Sequence, residues 1–259
     1  MVKSMTPFEA IFQRRSVRRF VDDAVPDAVL EKIQDFEADL IPIYPYVKMT
    51  VRVYRPEDYK GRFHGIFSVH APYFLAVYAQ QLEGSRSNAG NLAEQIALYL
   101  HSRGIGTCFV GGMKPPKGTC APEGMEFVIM LAFGLPRSEL NRPAEKAPRR
   151  SMDRICVYKQ EPLRATQQLV EAARLAPSSL NRQPWKFVVY RNRLHIFEVQ
   201  RKHGKSQSSF QEIDMGIMMA HILMAAEEYW IDLSMTHSEN LADKPVANYR
   251  YVGSVLVKP

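Results

Sequence analysis

Residues 176–190, APSSLNRQPWKFVVY, carry the clearest local structural signals in the chain. A proline disfavours helix in the residue before it, so Pro177 predicts that a helix ends near Ala176. Pro184 acts in the same way on Gln183, and the chain between the two prolines is expected to stay extended. The aromatic and β-branched residues of WKFVVY then predict a strand that is buried on both faces.

The segment between the two prolines is a polar loop. Its hydroxyl and amide side chains belong to Ser178, Ser179, Asn181 and Gln183. Loops of this composition often hold ligands, because regular secondary structure does not use up their polar groups. A simple helix exit would also favour Pro-Ser-Ser, so the loop taken alone leaves a purely structural role open.

A strongly basic run lies near the start of the chain. Thr6-Pro7-Phe8-Glu9 has the form of a capping box, which predicts a short helix just before the run. The run itself, RRSVRRF at residues 14–20, places four arginines within six residues. These charges repel one another unless solvent or an anion separates them, so the run predicts either a solvated surface or an anion site.

Together, the two segments resemble a known family. APSSLNRQPW, between the helix-like EAARL and a strand, resembles the helix–loop–strand signature of the FMN-dependent nitroreductase superfamily. RRSVRRF resembles the N-terminal phosphate-binding motif of that superfamily. In ordinary members the arginine motif lies only a few tens of residues before the loop. Here Ser16 and Ser178 are 162 positions apart.

Composition limits the classes of protein to consider. The 259 residues are 46% hydrophobic and 24% charged, which is typical of a globular protein with a real core. MVKSMTPFEA has no apolar signal-peptide region, and no apolar run is long enough to cross a bilayer, so we expect a cytoplasmic protein that binds no membrane. Three cysteines without a CxxC pair predict neither disulfides nor a metal site. The net charge of +7 favours anionic partners, and without a nucleic-acid module we expect phosphorylated small molecules.

The hydrophobic pattern predicts two long helices in addition to the loop and strand. One is indicated by apolar side chains at helical spacing before Gly104, namely Leu92, Ile96, Tyr99 and Leu100. The other is indicated by Ile217, Met218, Ile222 and Met224. The Met-rich face of the second helix is interpreted as core, and Gly104-Ile105-Gly106 as a helix exit.

Two parts of the sequence resemble each other. Val53-Tyr54-Arg55 and Val189-Tyr190-Arg191 are 136 positions apart, and the same shift places Ile41–Pro45 opposite Pro177–Asn181. We therefore predict two diverged halves, residues 1–145 and 146–259. The expected fold class is α+β: a nitroreductase-like fold in which each half has a mixed sheet flanked by helices, arranged as a pseudo-dimer within one monomeric chain.

The resemblance implies which residues bind the cofactor. Ordinary nitroreductases are interlocked homodimers with FMN at the interface, so a fused chain with one arginine motif and one PSxxN loop implies a single surviving site. The phosphate would be bound by Arg14, Arg15, Ser16 and Arg18, joined by Arg149 and Arg150 beside Lys146. A linker is the alternative for that basic tail. The loop beside the ring would be Pro177, Ser178, Ser179 and Asn181. The backbone of Gly111 or Gly112 would donate to the flavin, or else simply form a tight turn.

The function implied is two-electron reduction. By resemblance, NADH or NADPH would reduce the flavin, and a nitroaromatic, quinone or similar small-molecule acceptor would then reoxidise it, with no side chain acting as catalytic acid or base. A flavin-binding or sequestering protein without a physiological reductase activity is the alternative. A relic that no longer binds flavin is a third possibility, which the retained arginines and PSSLN loop disfavour.

Overall fold

The computed structural model describes residues 5–58, 63–65, 69–200, 209–242 and 248–258. Within these ranges, residues 36–38, 64, 65, 209 and 242 are described by their backbone alone. The chain divides into two compact units, Met1–Ala147 and Pro148–Pro259. In the described ranges, no helix combines the length and the apolar character needed to span a bilayer.

The first unit alternates helices with strands. Its elements are α1 (Pro7–Ile11), α2 (Asp27–Asp39), β1 (Met49–Tyr54), β2 (His64–Gly65), β3 (Tyr73–Gln80), α3 (Ser85–Ser102), β4 (Gly106–Val110), β5 (Met113–Lys114), β6 (Met125–Gly134) and a 3-10 turn, Ala144–Lys146. The predicted capping box is confirmed, because Thr6 Oγ1 accepts from the Glu9 amide and the Glu9 carboxylate accepts from the Thr6 amide.

Helix α3 ends as its sequence predicts. Gly104 lies in the left-handed region with φ of 83°, and its amide donates to the His101 carbonyl. Ile105 donates to the Leu100 carbonyl, which completes a glycine-terminated helix end. Almost the whole helix is buried, so α3 forms the centre of the first unit.

The main sheet of the first unit is antiparallel throughout its four strands, in the order β1-β3-β6-β4. Our prediction of a mixed sheet is wrong for these strands. The parallel contact here is a single bridge between Ser16 and Thr107, where the chain after α1 runs along the outer side of β4. Residues Tyr73 to Ala79 of β3 are all buried, as expected for a strand with neighbours on both sides and cover on both faces.

The main sheet of the second unit has five strands, one more than that of the first, and its central helix is longer. Its elements are α4 (Met152–Ile155), β7 (Cys156–Tyr158), α5 (Arg164–Arg174), β8 (Trp185–Tyr190), β9 (Arg193–Val199), α6 (Ser209–Glu228), β10 (Leu233–Thr236), α7 (Glu239–Ala242) and β11 (Tyr249–Val257). The sheet order is β10-β11-β9-β8-β7, and β7 pairs with β8 in parallel while the other pairs are antiparallel. This sheet is mixed, as predicted.

Strand β8 is where the sequence placed it, but its burial differs from the prediction. Trp185, Phe187 and Val189 are buried, whereas the side chains that alternate with them are only half-buried. The strand therefore presents one face to the core. Helix α6 supplies much of that core, and its methionines at positions 215, 218, 219 and 224 are buried as interpreted.

The two units share one sheet topology. Omitting β7, the order β8-β9-β11-β10 in the second unit matches β1-β3-β6-β4 in the first, with every pair antiparallel in both. The 136-position shift carries the bounds of β1 onto those of β8, and it places α2 over α5. In each unit a long buried helix also follows the second strand of this set, α3 in one and α6 in the other.

Candidate functional site

The first arginine of the basic run is buried inside the first unit. The side chain of Arg14 is only 2% exposed, and its Nε lies 3.7 Å from Oε1 of Glu94, a fully buried carboxylate on α3. At the backbone, Arg14 forms a bridge with Asn141. Arg14 is therefore buried beside an acidic residue of α3. Of the other arginines in the run, Arg18 and Arg19 are exposed.

Further cationic groups surround Arg14. The pKa of Arg142 is lowered by burial and by the charges of Arg14 and Arg15, which shows that three guanidinium groups are close enough to interact. Burial, with the charge of Arg14, also lowers the pKa of His101 to about 4, so this imidazole is neutral at pH 7 and donates to Asn141 Oδ1. The three arginines exceed the single negative charge of Glu94.

This arginine cluster, Arg14, Arg15 and Arg142, contains unsatisfied donors. Nε and Nη2 of Arg14 and Nε of Arg142 are buried and have no hydrogen-bond partner among the described residues. Buried N–H groups of charged side chains are normally paired, because leaving them unpaired costs about 1 to 3 kcal/mol or more each. An anion with several acceptor oxygens would satisfy both the excess charge and the free donors.

Strand β4 fixes the run beside this cluster. Val17 donates its amide to the Thr107 carbonyl at 2.9 Å, and Ser16 pairs with the same residue. Gly106 makes the approach possible, because a Cβ there would lie 2.8 Å from the Val17 side chain. Ser16 and Arg15 are half-buried in this arrangement and Arg18 is exposed, so these three side chains remain accessible to a ligand.

The glycine pair after β4 forms a turn. Gly111 and Gly112 are exposed and connect β4 to the short strand β5. The tight turn, one of the two roles that the sequence indicated for this pair, is thus present in the structure. Their backbone amides stay candidates for a flavin contact, which remains a prediction.

The prediction of an extended chain between Pro177 and Pro184 is wrong for the PSSLN loop of the second unit. Ser179–Asn181 forms a single 3-10 turn, and Leu180, Asn181 and Gln183 have φ of 51°, 54° and 49°. Left-handed conformations are uncommon for residues other than glycine, and each can cost on the order of 1 kcal/mol or more. Such a cluster is maintained only where surrounding contacts require it, and it is typical of functional loops.

Hydrogen bonds from the start of the second unit hold this conformation. The Asn181 side chain donates to the Pro148 carbonyl at 2.7 Å and accepts from Arg149 Nη1 at 2.9 Å. Arg149 also donates to the Leu175 carbonyl at 3.1 Å. The structure therefore brings Arg149 together with Asn181, and the Asn181 amide is engaged inside the loop instead of pointing to a ligand.

Gln183 forms the second part of this network. Its side chain is buried, accepts from the Arg150 amide at 2.7 Å and donates to the Asn181 carbonyl at 3.1 Å. Its own amide donates to Ser178 Oγ at 2.8 Å. Of the predicted ring-contacting residues, Ser178 and Asn181 are thus used to shape the loop, while Leu180 is 78% exposed at its tip.

An acidic residue from α6 completes the loop. Oδ1 of Asp214, a residue only 4% exposed, accepts from the Ser179 amide at 2.8 Å. Burial raises the pKa of this carboxyl to about 7, although the Ser179 hydrogen bond and the charge of Arg182 act in the opposite direction. Asp214 therefore changes its charge near neutral pH, in direct contact with the loop.

The corresponding loop of the first unit is closed by amides from α3. Asn88 Oδ1 accepts from the Tyr44 amide at 2.9 Å, and its Nδ2 donates to the Tyr44 carbonyl at 2.8 Å. Asn91 and Gln95 both donate to the Ile41 carbonyl. The adjoining cavity measures about 160 Å³, well below the roughly 300 to 1,000 Å³ of a typical cofactor pocket.

Two residues of these sites are not predicted from the sequence. Arg142 lies in NRPAEK, a segment for which a linker is the alternative, and no sequence pattern indicates that it is half-buried. Asp214 has a usable signal, since it is an acid inside IDMGIMM, an otherwise apolar part of a helix. Within the described ranges, no group of His, Cys, Asp and Glu residues is suited to bind a metal ion.

Comparison with known proteins identifies the family of the sequence. The sequence model of a family described as "Putative TM nitroreductase" matches residues 6–226. No curated protein is significantly similar to the chain in sequence.

The chain is also similar to solved structures. The crystal structure of a "putative nitroreductase" from Thermotoga maritima superposes with a TM-score of 0.67 at 21% identity, over 99% of this chain and 95% of that one. A nitroreductase family protein from Clostridium difficile 630 has a TM-score of 0.46 at 17% identity and covers 61% of this chain and 100% of its own. The Thermotoga likeness extends over nearly the whole chain and shows a common fold.

Proposed function

We propose that this chain, which belongs to the TM nitroreductase family, is an FMN-dependent oxidoreductase that passes two electrons from NADH or NADPH to a small acceptor such as a nitroaromatic or a quinone. The observation that supports this most strongly is the arginine cluster of the first unit, whose charge and free donors match a phosphate group. Family membership supplies the expectation of a flavin, and the cluster supplies a place on this chain for the flavin phosphate.

The residues present fit a flavin phosphate. A phosphate monoester carries close to two negative charges at pH 7 and offers several strong acceptor oxygens. Arg15, Ser16 and Arg18 are accessible and would contact these oxygens directly. Arg14 lies deeper and Arg142 is half-buried, and their buried N–H groups without partners in the described part of the chain would gain acceptors. The positive potential of the cluster would also attract the cofactor from solution.

The PSSLN loop fits the other part of the proposed cofactor site. Its left-handed turn is held by hydrogen bonds of Asn181, Gln183 and Asp214, so little ordering entropy would be lost on binding. Leu180 and Ser179 remain accessible to an aromatic ring. Arg149 and Arg150 serve the loop in this structure, so their predicted contact with the phosphate stays a proposal.

Bound FMN would supply the redox chemistry, accepting a hydride from the nicotinamide and passing the electrons on to the acceptor. The chain itself would bind the flavin, orient it and exclude water from it. The basic run would hold the phosphate end, and the PSSLN loop would orient the ring. The backbone amides of Gly111 or Gly112 are the proposed donors to the ring. Donor and acceptor would bind in turn, because the sequence offers no separate nucleotide-binding motif.

We further propose that the chain is an internally duplicated nitroreductase with one surviving site. The common strand order of the two units supports the duplication. Each unit retains one of the two motifs: the first has the arginine run but an Ile-Pro-Ile-Tyr-Pro loop, and the second has PSSLN. The first loop is filled by Asn88 and Asn91, and the cavity of about 160 Å³ beside it is too small for a flavin ring.

Flavin titration tests this proposal. Protein stripped of bound cofactor should bind FMN in a 1:1 ratio per chain, measured by quenching of flavin fluorescence against protein of known concentration. Binding of two FMN molecules with similar affinity would contradict a single surviving site. Absence of any saturable FMN binding would contradict the proposed function as a whole.

A further inference from the structure

We propose that Asp214 is a positioning residue of the PSSLN loop. Its ionised carboxylate holds the Ser179 amide and thereby couples FMN binding to pH. The inference rests on the proposed function, and it goes beyond it by assigning a role to a residue on α6 that belongs to neither family motif. Its basis is the hydrogen bond of 2.8 Å from the Ser179 amide to a carboxyl oxygen that is almost fully buried.

The corresponding loop of the first unit has a related contact, one position further along, since the 136-position shift places Tyr44 opposite Leu180. There Asn88 of α3, a helix that occupies the same place in the topology as α6, accepts from the Tyr44 amide at 2.9 Å. A neutral amide therefore suffices to fix a backbone N–H of this loop. The second unit uses a carboxyl instead, at a site where ionisation is made unfavourable by burial.

The ionised carboxyl at position 214 lowers the stability of the folded chain. In the unfolded chain it loses its proton near pH 3.8, whereas in the folded chain burial raises its pKa to about 7. The folded state thus binds more protons between these values, so its stability decreases as pH rises from about 4 to about 7 and stays lower above that. Residues that reduce stability without a structural need are typical of functional sites.

The groups that favour the ionised form of Asp214 belong to the loop and to the end of its turn. Arg182, at the end of the turn, faces the carboxyl and lowers its pKa, as does the Ser179 amide. Helix α5 also packs against α6, and its buried residues Thr166, Leu169, Val170, Ala172 and Ala173 carry no charge. Hydrogen bonds to an ionised acceptor are about twice as strong as neutral ones, so ionisation strengthens the contact that holds Ser179.

Asp214→Asn is the decisive variant, because it keeps an acceptor for Ser179 and removes the titration, as Asn88 does in the first unit. FMN affinity of the natural protein should rise between pH 6 and pH 8 about fivefold more than that of the variant, since a charge-assisted bond exceeds a neutral one by roughly 1 kcal/mol. The FMN phosphate titrates equally in both proteins. Repeating the series with riboflavin removes that contribution altogether.

A second measurement does not depend on flavin. In cofactor-free protein labelled with 15N-serine, the Ser179 amide should shift with a midpoint near pH 7, and the shift should be absent in Asp214→Asn. Parallel pH profiles of FMN affinity in the two proteins, or a Ser179 amide that does not titrate, would overturn the assignment. If FMN fails to bind at any pH while the amide titrates, the proposed function fails and the Asp214–Ser179 coupling stands.

Discussion

Replacing Arg15 and Arg18 together by alanine should weaken FMN binding by more than a hundredfold. These two arginines are the accessible ones in the proposed ligand set, and each charge-assisted contact to a phosphate is worth about 1.5 to 3 kcal/mol. Losing two such contacts removes at least about 3 kcal/mol, which corresponds to more than a hundredfold in Kd. Fluorescence titration with FMN measures the change.

Two comparisons make this result specific. Riboflavin lacks the phosphate, so its affinity should change far less than that of FMN in the double variant. Arg19→Ala removes an exposed arginine of the same run that is outside the proposed ligand set, and it should leave FMN affinity within about twofold of the natural protein. Equal weakening of FMN and riboflavin would show that Arg15 and Arg18 support the fold and do not bind the phosphate.

Replacing Arg14 by alanine should instead destabilise the cofactor-free protein by about 3 kcal/mol. Arg14 and Glu94 are both buried, and removing one partner of a buried ion pair typically costs about 3 to 5 kcal/mol. Repulsion from Arg15 and Arg142 is relieved in the variant, which places the expected loss at the lower end. Urea unfolding, followed by circular dichroism, measures it.

A double-mutant cycle identifies the cause. Arg14→Met combined with Glu94→Gln removes both charges, and it should be less destabilised than the sum of the two single variants. Arg19→Ala again serves as the exposed control and should change stability by less than about 0.5 kcal/mol. Additive effects in the cycle, or a cost for Arg14→Ala as small as that control, would show that the pair does not stabilise the first unit.

Local sequence signals predicted much of the fold. The capping box at Thr6, the end of α3 at Gly104 and the strand beginning at Trp185 depend on residues within a few positions of each other, and all three are confirmed. Glycine and proline restrict the backbone directly, so they mark such boundaries reliably. The half-exposed side of β8 could not be predicted, because its pattern of large residues resembles that of a fully buried strand.

The conformation of the PSSLN loop could not be predicted from local sequence. Leu180, Asn181 and Gln183 adopt left-handed conformations because Pro148, Arg149 and Arg150, about thirty positions earlier, supply or accept their hydrogen bonds. The burial of Arg14 depends in the same way on Glu94. Contacts between segments that are distant in the sequence determine the conformation and burial of these residues. The motifs indicated which segments to consider, but not these contacts.

We propose that the chain reduces acceptors through bound FMN, and anaerobic reduction of that flavin is the decisive experiment. NADH or NADPH is mixed with the FMN-loaded protein in a stopped-flow instrument, and the visible absorbance of the flavin is followed. At least one of the nicotinamides should bleach the flavin, and a quinone or nitroaromatic added afterwards should restore its absorbance. If the protein binds FMN but neither nicotinamide reduces it at any concentration, the chain is a flavin carrier and not a reductase.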